Sequence, residues 1–478
     1  MMMTSEMRHQ ELLDAADQAL ARADMDGLRA AGIWREPTDY AFVFAYPTKG
    51  MIKERALSPE ALDEVPDAKF GDSAVYLHIP FCNEICNFCP YTRGLNREGE
   101  RIRYVKALCE EIRIFTRRAD VGKVRAVYMG GGTPSVLSAS ELELISATLQ
   151  ECFDLADDLE FTMEFHPLDV QNVDLLDAIA RGGKCMPNRI SLGIQTFHDE
   201  TLRSMGRPSG SVWARDAVTR LNELGRTLNI DLISGYPGIG GFDNLTRLRG
   251  DIDAIEELAE QQGKFVPSVT MYYLWTRGET ALVHQLARNK FSLPSESDGL
   301  LSRLYAIARL HDIGYSNDAS AWYVRERGHS FKLSDSRWHG SSYLGFGLGA
   351  YSYVPGLSYY NATDYPTYYA RINAGELPVH TGVRLSQAEM VRRKLSLGVK
   401  TRRGIPYPHE WHADPELTRE LSDRVEHMQN LGLLVAAEEG IQLTDLGRCY
   451  DDEVAEQFFA PEVLQSFGKT PVAVPSAA

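Results

Sequence analysis

AVYLHIPFCNEICNFCPYTRG, residues 74–94, places Cys82, Cys86 and Cys89 within eight residues, directly behind a short apolar run that reads as a strand. Three thiolates on one loop form a metal-binding set. Four protein ligands would close a zinc site, whereas three on a cubane [4Fe–4S] cluster leave one iron open to a small molecule. Outward from this loop the chain alternates short apolar runs with longer helical patterns. Strands are predicted at 74–78, 125–129, 160–165, 189–194, 229–233 and 268–274. Between them lie helices such as 141–153, where Ser138 and Glu141 form a capping box and Leu142, Ile145, Leu149 and Phe153 make the buried stripe. Six βα repeats predict an α/β fold built on a partial (β/α)6 barrel. In such folds chemistry gathers at the carboxyl ends of the strands. The cysteine loop follows the first strand, the glycine triplet 130–132 the second, Glu164 ends the third, Gln195 the fourth, and Asp231 lies near the end of the fifth.

Length and charge bound the rest. A chain of 478 residues has room for about three domains. A formal charge of −16 argues against nucleic acid or an anionic membrane as a general partner. No apolar run approaches the ~20 residues of a membrane span and the polar start is no signal peptide, so a cytoplasmic protein is expected. Cys109, Cys152, Cys185 and Cys449 are scattered, as reduced core thiols are. The expected division is a helical and lid segment over 1–70, the barrel over 71–360, a tyrosine-rich connecting loop over 361–384, a small module over 385–465 and a disordered tail over 466–478. Within the first, residues 40–53 are apolar and aromatic yet broken by Pro47 and Gly50, a composition suited to covering an active-site mouth. In the small module Leu417, Leu421, Val425 and Met428 mark a helix, 433–435 and 441–443 a hairpin, and Thr444-Asp445 a further helix start, together a winged-helix-like pattern. Its wing, AAEEG, is acidic, which favours a packing module over DNA binding.

Five blocks in order, YLHIPFCNEICNFC, MGGGTPS (129–135), RISLGIQTFHDETLRSMGR (189–207), NIDLISGYPG (229–238) and YLGFGLGAYS (343–352), resemble the radical S-adenosylmethionine enzymes, in the branch of oxygen-independent coproporphyrinogen dehydrogenase. The resemblance spans 76–354 and implies a [4Fe–4S] cluster on Cys82, Cys86 and Cys89 whose free iron chelates S-adenosylmethionine. It further implies cofactor contacts from Tyr76, Phe88, Gly131, Gly132, Thr133, Glu164, Gln195, Arg207, Asp231 and Tyr273. Two cofactor molecules are expected by the same resemblance, with Tyr76, Gly131 and Glu164 reaching the second. The glycines are expected to let backbone N–H groups approach the cofactor closely.

Two departures from the coproporphyrinogen enzyme bear on substrate. Tyr91 stands where that enzyme has a further cysteine, and Trp338-His339 where it has a Phe-Gln pair. They weaken a haem-biosynthesis assignment and are compatible with the related methyltransferases and cyclopropanases, with anaerobic haem-opening methyltransferases and with the haem chaperones; the expected activity is that of the first, in which the radical takes hydrogen from the second cofactor's methyl group. The methylene radical then adds to an sp² carbon of an aromatic or heteroaromatic metabolite in natural-product biosynthesis. His339 is the candidate proton acceptor and Tyr91 the candidate catalytic aromatic. Tyr272, Tyr273, Trp275, Trp322 and Tyr323 would line the substrate pocket. The alternatives are a tetrapyrrole enzyme, for coproporphyrinogen oxidation or anaerobic haem degradation, and a haem chaperone. The expected partners are a small-molecule substrate and a flavodoxin- or ferredoxin-type electron donor, with the protein a monomer.

Overall fold

Val75, Leu77 and Ile79 alternate with Tyr76 and His78 along the first strand, and nearly every position on both faces is buried. That pattern belongs to a strand covered on both sides within an α/β layer. The computed structural model describes residues 5–48, 57, 69–207, 210–333, 338, 341–407, 414–437 and 440–466. His339, residues 49–53 of the expected lid, Glu438 and Glu439 of the acidic wing and the tail from 467 lie outside the described residues.

All six expected strands are present. β1 (Ser73–Ile79), β2 (Val124–Gly131), β3 (Leu155–Phe165), β4 (Arg189–Gln195), β5 (Thr227–Ser234) and β6 (Ser268–Tyr273) pair in chain order and in parallel. The sheet then continues on both sides. Beyond β6 lie β7 (Ser316–Ala319) and β8 (Trp322–Val324), of which β8 pairs antiparallel with β6. Beyond β1 lies β9 (Ser342–Phe346), parallel to it, followed by the antiparallel run β10 (Tyr351–Val354), β11 (Leu357–Asn361) and β12 (Val379–Arg384). The 12-stranded order does not return on itself, so the barrel is partial and keeps an open seam between its two ends.

Helices cover the outside. α1 (Ser5–Arg22) docks on α7 (Glu296–Asp312) through His9 Nδ1 and the Tyr305 hydroxyl at 2.5 Å. Between them in the chain come α2 (Glu98–Thr116), α3 (Ala139–Cys152), α4 (Val173–Arg181), α5 (Gly210–Glu223) and α6 (Asn244–Gln262). The capping box of α3 forms as its sequence requires, with Ser138 and Glu141 bonding each other's backbone.

The stretch 361–384 departs from the expected loop. It holds α8 (Tyr365–Asn373) and the sheet's outermost strand, β12. Its tyrosines are structural: Tyr368 stacks on Tyr104 at 5.6 Å and donates to Glu111 at 2.6 Å, while Tyr369 donates to Glu100 at 2.6 Å. A cluster of tyrosines reads as loop only until its hydroxyls find buried acceptors. α9 (Gln387–Gly398) then leads to the C-terminal module, where α10 (Pro415–Asn430), the hairpin β13 (Leu434–Ala437) and β14 (Gly440–Leu443), and a short helix Asp445–Cys449 reproduce the winged-helix-like order. Among the described residues no helix is long and apolar enough to cross a membrane.

Candidate active site

The cysteine loop is held by bonds that its thiols do not make. Gly94 N donates to Pro80 O at 2.8 Å, Asn87 N to Met205 O at 3.0 Å, and Leu282 N to Asn87 O at 2.9 Å. The Arg93 guanidinium ties the loop together from inside, donating to Tyr91 O at 2.9 Å and Cys86 O at 3.1 Å. Cys82, Cys86 and Cys89 are free thiols on one wall of a cavity of about 260 Å³. Since about 15 Å³ of such space suffices for one water, the cavity accommodates a sizeable ligand. Burial pushes the Cys82 thiol up and the Cys89 thiol up to about 12, so both are neutral until a metal's charge displaces the proton. Among the described residues no three His, Cys, Asp or Glu side chains converge on a single ion. Three thiols around an enclosed space fit a multi-iron cluster with an open iron, not a four-ligand zinc site.

Two half-buried carboxylates line the same cavity as the thiols. Glu164, at the end of β3, accepts from the Tyr128 hydroxyl at 2.6 Å and from Gly131 N at 3.2 Å, and burial pushes it up to about 7. Asp231, on β5, accepts from Ser191 Oγ at 2.9 Å and Asn229 Nδ2 at 2.7 Å, and burial pushes it up to about 6. A cationic ligand between them would restore both charges, and S-adenosylmethionine, a sulfonium with an ammonium group, fits that demand. Gln195 closes β4 with φ of 74°, a left-handed conformation rare outside glycine, at a register break in the β4–β5 ladder. Its amide is oriented by the Tyr272 hydroxyl, which donates to Oε1.

Phe88, Gly131, Gly132, Thr133, Glu164, Gln195, Arg207, Asp231 and Tyr273 all line this one cavity, as do Tyr91, Tyr272, Trp275 and Trp322. Tyr76 does not. Its ring stacks on Tyr128 at 6.1 Å inside the sheet and its hydroxyl meets His78 Nδ1 at 3.0 Å. Tyr323 is buried away from the cavity, and Tyr91 is 58% exposed at its mouth. Trp338, beside the undescribed His339, is fully buried and packs edge-on against Trp322 at 5.4 Å.

The glycine triplet has a different reason from the expected one. A Cβ at Gly130 would meet Glu164 Oε1 at 2.7 Å, at Gly131 the His78 ring at 2.4 Å, and at Gly132 the Phe81 backbone at 2.7 Å. Gly131 N is already spent on Glu164. The missing side chain of Gly130 makes room for Glu164 and Tyr128, and those of Gly131 and Gly132 for the His78 ring and the Phe81 backbone. Gly131→Ala, at φ of 112° and in collision with His78, is expected to lose about 3 kcal/mol or more in chemical denaturation.

Sequence reasoning missed several lining residues: Phe42, Arg93, His166, Arg189 and Phe331. Arg93 lies in the decisive stretch, where a count of cations near the cysteines finds it, and Arg189 opens a quoted block. His166 and Phe331 carry no local signal.

The radical SAM superfamily model matches residues 76–243. The heme chaperone HemW of Mycobacterium tuberculosis is 30% identical over 84% of this chain and 98% of its own length, and that of Lactococcus lactis 28% over 82% and 98%. The anaerobilin synthase of Escherichia coli is 29% identical over 83% of each chain. Among solved structures, coproporphyrinogen III oxidase HemN of Escherichia coli aligns with a TM-score of 0.71 at 22% identity, over 88% of this chain and 99% of that one, which shows the shared fold. These relatives overturn the expectation of a methyltransferase or cyclopropanase acting on an aromatic metabolite. The departures at Tyr91 and Trp338-His339 are equally compatible with the haem-opening enzymes and the chaperones, and the whole-length similarity decides against the methyltransferase reading.

Proposed function

The chain belongs to the radical S-adenosylmethionine superfamily, in the branch of HemW and HemN, and on that premise we propose that it acts on a tetrapyrrole. The observation that carries the reading is one cavity that joins the three cysteines to aromatic walls, Tyr128, Tyr272, Trp322 and Phe331, and to Arg93, Arg189 and Arg207. Aromatic faces suit a flat conjugated ring and guanidinium groups suit its carboxylates. The tetrapyrrole names of relatives that match over nearly their full length support it.

In this reading Cys82, Cys86 and Cys89 hold the cluster, and Phe88, Gly132, Thr133, Glu164, Gln195, Arg207 and Asp231 hold S-adenosylmethionine. Together the two groups supply one-electron, hydrogen-abstracting chemistry. The chain's own residues prepare the place: Arg93 fixes the cysteine loop, Tyr272 orients the Gln195 amide, and Tyr128 and Gly131 hold the Glu164 carboxylate towards the cofactor.

Haem carriage is the second reading, favoured by the HemW relatives. His166, the one histidine on the described cavity wall, accepts from Leu168 N through Nδ1 at 3.3 Å, so an axial role for its Nε2 requires the other ring tautomer. The test is anaerobic: the reconstituted, reduced protein receives S-adenosylmethionine with haem or coproporphyrinogen III, and nucleoside and tetrapyrrole products are followed by mass spectrometry. Tetrapyrrole-dependent release of 5′-deoxyadenosine with a new tetrapyrrole product is the expected result. One-to-one haem binding without turnover would move the protein to carriage, and indifference to every tetrapyrrole would sink both.

A further inference from the structure

The partial barrel has a seam, and residues 35–46 run across it. Tyr40 packs edge-on against Tyr273 of β6 at 5.0 Å, Phe42 against Trp322 of β8 at 6.3 Å, and Phe44 against Tyr351 of β10 at 6.5 Å. The segment thus touches both ends of the open sheet in turn. Backbone bonds fasten its first half to the residues after β6, since Thr276 N and Arg277 N both donate to Tyr40 O at 3.0 Å. Phe42 turns inward and lines the same cavity as the three cysteines.

The anchor of this strap comes from the far end of the chain. The Asp452 carboxylate accepts from the Tyr40 hydroxyl and, at 2.8 Å, from Val43 N, the two residues that bracket Phe42 at close range. Lys400, fully buried, donates to Asp452 and to Val43 O at 3.2 Å, and its ammonium lies 4.0 Å from the centre of the Phe42 ring. Arg35 makes a paired bond to Glu453 at 2.7 and 2.6 Å and lies over the rings of Tyr40 and Tyr273. Buried charges that are fully paired hold one geometry, because any shift leaves an uncompensated ion.

We propose that Phe42 is a wall of the substrate subsite and that the C-terminal module sets this wall, through Asp452 and Lys400, by holding the strap across the barrel seam. The anchoring stands on geometry alone; the identity of the substrate rests on the tetrapyrrole reading above. The module that resembles a winged helix therefore completes the catalytic cavity from outside it, and Asp452 and Lys400 are positioning residues.

Two measurements test this on the full-length protein. The first is hydrogen–deuterium exchange over residues 35–46. Asp452→Asn, and the milder Tyr40→Phe that removes only the hydroxyl bond, are expected to speed exchange there and leave the cysteine loop unchanged. Unaltered exchange in a folded Asp452→Asn protein overturns the anchoring, and Tyr40→Phe decides it should Asp452→Asn fail to fold. The second is equilibrium binding of haemin. Phe42→Ala is expected to weaken it about tenfold and Tyr40→Phe about fivefold, with no further loss when Tyr40→Phe is added to Phe42→Ala. Binding of S-adenosylmethionine should stay constant throughout. Undiminished haemin binding by Phe42→Ala, or simple additivity of the two changes, overturns the wall. A wild type that takes up neither haemin nor coproporphyrin III overturns the tetrapyrrole reading and the wall's ligand with it, and exchange then decides the anchoring by itself.

Discussion

Cys86→Ala is expected to fold with an unchanged thermal transition and to retain no stable iron–sulfur cluster. The bonds that shape the loop come from backbone groups and from Arg93, which binds the carbonyl of residue 86 and not its thiol, so the substitution leaves them in place. Cys86 is half-buried against the cluster of Phe88, Met205 and Tyr236, and alanine keeps its Cβ there, so only the contacts of one sulfur are lost. Two remaining thiolates hold two irons of a cubane and expose the others to water and dissociation. Iron and sulfide per chain after anaerobic reconstitution, with the low-temperature resonance of the reduced protein, read the result, and cleavage of S-adenosylmethionine should fall below detection. Cys152→Ala, on α3 and away from the cavity, is the control that should load fully. A Cys86→Ala protein that still loads a full cluster would move the ligand role to another group.

Glu164→Gln should raise stability while it removes function. The folded-state value of Glu164, about 7, lies above the ~4.3 of an exposed glutamate. The folded chain therefore holds the extra proton between about pH 4.5 and 7, and stability falls as pH rises through that window. Above it the wild type carries a half-buried anion with two hydrogen bonds and, among the described residues, no cation in contact. Glutamine relieves that cost and keeps both bonds, its Oε1 facing Gly131 N and its Nε2 donating to Tyr128. In the cofactor-free protein at pH 8 the variant is expected to be more stable by about 1–3 kcal/mol, with a flatter profile below pH 7. Affinity for S-adenosylmethionine should fall about 10- to 100-fold, as the loss of a charge-assisted contact implies. Equal destabilisation at pH 5 and pH 8 would show that Glu164 is held by its bonds and carries no penalty for its charge.

The amino-acid sequence by itself determined the cysteine triplet, the six strands β1 to β6, the capping box of α3 and the placing of Glu164, Gln195 and Asp231 at or near strand ends. Those features are local: alternating burial along a strand, a hydroxyl three residues before a glutamate, thiols spaced along one turn. Only the tertiary structure decided the rest. Gly131 is needed because the His78 ring occupies its Cβ position, a fact that lies in the pairing of β1 with β2. Tyr368 and Tyr369 lie in a docked helix and not in a loop because Glu111 and Glu100, far back in the chain, accept their hydroxyls. Among the cavity walls Trp322 is expected from the sequence, whereas Phe42 and Phe331 join it from distant parts of the chain. Short-range patterns encode secondary structure and the chemistry of donor groups. The shape of a cavity is encoded in packing between distant segments, and Phe42 reaches its place only when Asp452 and Lys400 arrive from the other end of the molecule.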